Sequence, residues 1–160
     1  MLFELLSDIV NVDDVLLITK NSGATCEIRS NSLPIRQKEK WITIGDNDGP
    51  GHMHINSEII KSAEFIQEQR PEKISFSIRF FDDHNDRVLA AFFTKMYDES
   101  KNLISERKNL YDSLHDKYSS KIKFLKKILS EKDKQKSINL LILFSFSLFQ
   151  FVFLLILILR

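Results

Sequence analysis

His52 and His54 stand two residues apart in the segment Gly51-His52-Met53-His54-Ile55. On an extended strand, residues i and i+2 point to the same side, so both imidazoles can meet one ligand. Neutral imidazole is a ligand for iron, copper and zinc. Three of the chain's four glycines fall in the stretch 45–51 just before this pair, and glycine allows a ligand to come close to the backbone. With Glu58 the two histidines form His-x-His-x-x-x-Glu, a spacing from which a metal-dependent enzyme could be built. The alternative is that both are surface histidines without a ligand. Elsewhere the chemistry is sparse. His84 sits in a turn among Asp82, Asp83 and Asp86, too few carboxylates at the wrong spacing for a calcium loop. His115 falls on the exposed side of a helical pattern. No nucleophile triad, phosphate-binding glycine loop or Cys–His zinc set is present, and Cys26 stands alone, so no internal disulfide forms.

The elements around the histidines are strands. Val15–Thr19 ends in Lys20-Asn21-Ser22-Gly23, and Ala24–Arg29 reads as the returning arm of a hairpin. Pro34 interrupts, Trp41–Ile44 is the next strand, and His52–Ile55 resumes after the glycine-rich loop. Ser57 can cap a short helix beginning at Glu58. In Lys73–Phe81, Ile74, Phe76, Ile78 and Phe80 alternate with Ser75, Ser77 and Arg79, which is a half-buried strand. Asn85 suits the left-handed residue of the turn that follows. Arg87–Tyr97 is apolar on both faces and predicts a central or helix-covered strand.

From residue 101 the pattern is helical, with Leu103, Leu110, Leu114, Tyr118, Ile122, Leu125 and Leu129 at intervals of three, four or seven. Its first part is expected to pack on the sheet. A coiled-coil homodimer is the rival reading of this stretch. Residues 140–159 carry no charge, long enough at about 1.5 Å per residue to cross the roughly 30 Å core of a bilayer. Lys121, Lys123, Lys126, Lys127, Lys132, Lys134 and Lys136 precede that span and only Arg160 follows it. The positive-inside rule then leaves the N-terminal part in the cytoplasm.

The net charge of +1 divides unevenly. Residues 1–100 hold 11 Lys and Arg against 17 Asp and Glu, whereas residues 101–137 hold 11 against 5. An acidic head argues against nucleic acid as its ligand, and the basic stalk matches anionic lipid headgroups. The expected organisation is a sheet-rich head at 1–100, a basic amphipathic stalk at 101–137 and a single-pass membrane anchor at 138–160.

From about Val15 to Tyr118 the order of these segments resembles the haem-utilisation proteins of the ChuX/HutX type, relatives of the HemS haem-carrier fold. Cys26-Glu27-Ile28-Arg29 with Leu33-Pro34 is similar to the family's Glu-hydrophobic-basic step and Leu-Pro. Gly51-His52-Met53-His54-Ile55 resembles its Gly-His-Ile segment after a glycine-rich loop, and Ala63–Arg70 its hydrophobic stretch with an Arg before a turn. Ser77-Ile78-Arg79-Phe80-Phe81, Asn85 and Phe92-Phe93 match its last hairpin. Lys20 stands where some relatives carry a second histidine, Thr94-Lys95-Met96 replaces a Gly-Arg-Asp, and the membrane tail is an addition.

The resemblance implies that His54, or His52, ligates haem iron. Haem also needs an apolar slot and cations for its two propionates, and Lys38 and Lys95, with Arg36 and Lys40, are candidates for the cations. The expected fold is α+β, a twisted antiparallel sheet with packed helices, then a long C-terminal helix and one transmembrane helix. The expected function is a membrane-tethered haem-binding or haem-trafficking module that meets a haem donor or acceptor protein at the bilayer. A tail-anchored interaction domain without a cofactor is the alternative, and the His-x-His enzyme a third.

Overall fold

A computed structural model describes residues 1–119, and its fold is α+β with antiparallel sheets. Eight strands follow a first helix: α1 (Leu2–Val10), β1 (Val15–Lys20), β2 (Thr25–Arg29), β3 (Ile35–Lys38), β4 (Trp41–Ile44), β5 (Met53–Asn56), β6 (Ser62–Gln69), β7 (Ile74–Phe81) and β8 (Arg87–Phe93). A second helix, α2, occupies 105–119. The strands divide into two sheets where one was expected. The larger has the order β2-β1-β8-β7-β6, the smaller β3-β4-β5.

The strand that is apolar on both sides, β8, lies between β1 and β7, as an element with no polar face must. Register aligns the side chains into rows. Phe93 stands opposite both Val15 and Phe76, Ala91 opposite Leu17 and Ile78, and Leu89 opposite Phe80. These residues form the inner face, which α2 covers. Tyr111 of α2 is buried, with its ring edge-on to Phe65, Phe76 and Phe93 at centroid distances of 5.6, 5.3 and 5.2 Å. Leu114 and Tyr118 extend the same stripe at helical spacing. Leu5, Leu6, Ile9 and Val10 of α1 complete the core together with Ile42, Ile44, Met53 and Ile55 of the small sheet.

At two loops one local expectation changes and the other holds. The residues after Ser57 form a turn instead of a helix, because Asn56 Oδ1 takes the Glu58 N–H at 3.1 Å and so competes with a helical start. The acidic turn after β7 is an Asx arrangement: Asp82 Oδ1 accepts the backbone N–H of His84 and of Asp86, and Asn85 has φ +66°. Among the described residues no helix is long and apolar enough to cross a membrane. The span expected at 138–160, and the stalk beyond residue 119, lie outside the described residues.

The two helices are joined by a polar clasp. Asp8 Oδ2 accepts from Lys117 Nζ at 2.6 Å and from the Tyr118 hydroxyl at 2.6 Å. Partial burial pushes the Asp8 carboxyl up, but the two hydrogen bonds and the ammonium charge outweigh it and hold the group below its ordinary value. The hydrogen bond to Asp8 raises Lys117 correspondingly. A carboxyl whose folded pKa is depressed contributes stability that is fully present above its unfolded value, about 3.9, and is lost as pH falls through the folded one. Asp8→Asn should therefore lose less stability than the parent chain between pH 6 and pH 3, read as the shift in urea midpoint. Equal losses in the two proteins would show that the clasp plays no part in acid sensitivity.

Candidate functional site

The outer face of the small sheet gathers most of the residues singled out for chemistry. Strand alternation sends Ile42, Ile44, Met53 and Ile55 inward to the core, which obliges their neighbours to face out. Register then arranges the outward residues in two rows across three strands. Arg36, Thr43 and His54 form one row, Lys38, Trp41 and Asn56 the other. Directly opposed residues in antiparallel strands have Cβ atoms about 4.5–5.5 Å apart, so each row is a set of touching neighbours. All of these residues except Asn56, together with Glu39 and Asn47, line an open cleft of about 430 Å³, within the range of small-molecule sites.

The parts differ in kind. Trp41 is 44% exposed, an indole lying open on the cleft instead of packed in the core. Lys40 lies 6.0 Å from its ring centroid, a cation–π distance. Arg36, Lys38 and Lys40 make this corner of an otherwise acidic head cationic, with Glu39 the acid beside them. His54 projects into the cleft, and its Nδ1 lies 2.9 Å from Oγ1 of Thr43. His52 stands just before β5, its ring edge-on to that of His54 at 5.0 Å between centroids.

The loop between β4 and β5 is what sets His52. Gly45 has φ +90° and is buried. Its N–H donates to Pro34 O at 2.8 Å, and its carbonyl accepts from Arg36 Nη1 at 3.3 Å. Arg36 Nη2 donates to Asn47 Oδ1 at 2.7 Å. One guanidinium thus ties the glycine-rich loop to β3, and a planar fork with five N–H donors keeps others for a ligand.

Of the cations expected beside the histidines, Lys38 is in the cleft and Lys95 is not. Lys95, at φ +52° just after β8, pairs with Asp14 at 3.0 Å on the large sheet. The hydrogen bond from Lys95 holds the Asp14 carboxyl below the usual range despite some desolvation. The interruption of β8 at Thr94 turns that ammonium away, which the sequence does not signal. Glu58 does not join the histidines either: among the described residues no three His, Cys, Asp or Glu side chains converge in a way that could hold a metal ion. Trp41 and Thr43, by contrast, belong to the face, although the sequence marks them only as strand residues. Their alternation with Ile42 and Ile44 is the signal that places them there.

One family model matches residues 3–120, well over half of the chain. No curated protein matches the sequence. Among solved structures, the crystal structure of ChuX is similar with a TM-score of 0.62 at 15% identity, over 73% of this chain and 71% of that one. A second structure, described as the haem-binding protein ChuX, gives 0.61 at 15% over 72% and 71%. Holo-PhuS, described as a haem-binding protein from Pseudomonas aeruginosa, gives 0.58 at 12%, over 70% of this chain but only 32% of its own. At these identities the likeness is one of fold.

Proposed function

The chain belongs to the haem-utilisation family of the ChuX/HutX type, with the HemS-like haem-carrier fold, and on that premise we propose that it binds haem on the outer face of the small sheet as cargo to be handed on. One observation carries this reading: an imidazole, an exposed indole and two cations of β3 lie together on one open face. Haem supplies an iron that takes an axial imidazole, a flat apolar ring and two carboxylates. His54 Nε2 offers the lone pair. The Trp41 indole gives the ring an aromatic surface, and Arg36 and Lys38 hold the carboxylates. ChuX and PhuS, both described as haem-binding, share the fold, which favours haem over another flat anionic ligand.

The openness of the face suits carriage. A ligand lying there keeps one side exposed to a donor or acceptor protein, and a single axial imidazole leaves the opposite side of the iron free. We read the uncharged run at 140–159 as a single-pass anchor that keeps this exchange at a membrane, with the head in the cytoplasm. The test is a haem titration of the full-length chain in mild detergent, followed by visible absorption, beside His54→Ala and His52→Ala. The parent chain should saturate at one to one, and His54→Ala should weaken binding about tenfold or more, the size that even indirect changes at a metal ligand produce. His52→Ala should bind nearly as the parent does. Weak, unsaturable binding that ignores both substitutions would sink the reading and leave a cofactor-free interaction domain.

A further inference from the structure

We propose that Thr43 is the positioning residue that engages Nδ1 of His54 and so leaves Nε2 as the nitrogen offered to iron. This deepens the reading above and rests on it. Thr43 and His54 are directly opposed on β4 and β5, and Oγ1 and Nδ1 are 2.9 Å apart. Thr43 is 6% exposed whereas the His54 ring is exposed, so the hydroxyl sits at the buried root of a side chain that projects into the cleft.

A neutral imidazole has one N–H and one lone pair. If the hydroxyl donates to Nδ1, the hydrogen is on Nε2 and that nitrogen cannot ligate. If Nδ1–H donates to Oγ1, the lone pair is on Nε2 and faces the cleft. A hydroxyl accommodates both arrangements, but ligation requires the second. Ligating histidines usually give their other N–H to a carboxylate, a backbone carbonyl or a water, and removal of that partner typically costs 10–100-fold in metal affinity; a threonine hydroxyl can accept in the same way. Two features suit Thr43 to this role. Its β-branch restricts χ1, and the guanidinium of Arg36 next to it is engaged by Gly45 and Asn47. The His52 ring makes an edge contact with His54 and, among the described residues, no side-chain hydrogen bond orients it in the same way. That difference is why His54 is the ligand of the pair.

The test uses the full-length chain with Thr43→Val, which keeps the shape and the branch but lacks the hydroxyl, and Thr43→Ser, which keeps the hydroxyl. Thr43→Ala is a second hydroxyl-free variant, so a folding failure in one does not decide the result. Haem affinity and the reduction potential of the bound haem are measured for each. Thr43→Val and Thr43→Ala should bind about tenfold or more weakly, with a shifted potential, while Thr43→Ser stays near the parent in both. If Thr43→Val and Thr43→Ala match the parent in affinity and potential while His54→Ala abolishes binding, this inference fails and the haem reading stands. It also fails if Thr43→Ser behaves as the hydroxyl-free variants do. If His54→Ala itself has no effect, both fail together.

Discussion

Replacing Gly45 by alanine should cost the domain about 3 kcal/mol or more, because two penalties coincide there. A φ of +90° lies in the region that side chains rarely adopt, at a cost of order 1–3 kcal/mol. The added Cβ would also stand 2.6 Å from the Gly51 carbonyl oxygen and 3.0 Å from the His52 Cα. Both neighbours are backbone, so they give way only if the loop opens. Gly51 is the internal control. A Cβ there meets nothing within 4 Å, and its φ is outside the positive region, so Gly51→Ala should be neutral or slightly stabilising through the unfolded chain. Urea denaturation at constant m reads the difference as a shift in midpoint. Equal midpoints for the two variants would show that the close return of the chain at Gly45 is not needed for stability.

The second large effect concerns α2. Its Tyr111 ring fills a niche walled by Phe65, Phe76 and Phe93, and large-to-small changes at such aromatic sites cost about 3–5 kcal/mol. Tyr111→Ala should therefore remove a large share of a total that for natural domains is about 5–15 kcal/mol. Tyr111→Phe should be mild, since the hydroxyl reaches only the Ser77 carbonyl at 3.5 Å. A chain ended at residue 100 goes further. It uncovers the inner face of the large sheet and should show no cooperative thermal transition. A sharp transition in that truncated protein, near the temperature of the full chain, would mean that the sheet is stable without its helix. The boundary that composition and charge draw near residue 100 would then be a physical one as well.

Four strands of the large sheet are legible in the sequence, β7 and β8 most plainly because each has one dominant pattern, whereas β6 mixes buried and exposed residues without a clean period and reads only as a hydrophobic stretch. Period-two alternation marks Ile74 to Phe80, and the absence of any polar face marks Val88 to Phe93 as central. The strand β3 is not legible. Ile-Arg-Gln-Lys has one apolar residue and follows a proline, since only Ile35 packs on the core while its neighbours face solvent. That same polarity places Arg36 and Lys38 on the candidate cleft. The helix α1 carries Leu2, Leu5, Leu6, Ile9 and Val10 at helical spacing, but at nine residues it is shorter than the window in which a helical period stands out. At the candidate site, the shared face of His52 and His54 follows from their spacing alone. Which cations join them does not, because Lys38 and Lys95 differ only in where distant strands carry them.

The ladder order has a consequence for how the protein is made. During synthesis β1 emerges early and can pair at once with β2, but its other edge must wait for β8, since Val15 pairs with Phe93 and Leu17 with Ala91. Asp8 waits longer still, for Lys117 and Tyr118. Until then the apolar side chains of Val15 and Leu17 have no sheet to cover them, and closing so long a loop is slow. The domain therefore completes its core only after α2 has left the ribosome, and a nascent chain whose emerged part ends before residue 111 should be a better chaperone client than one whose emerged part extends beyond residue 119.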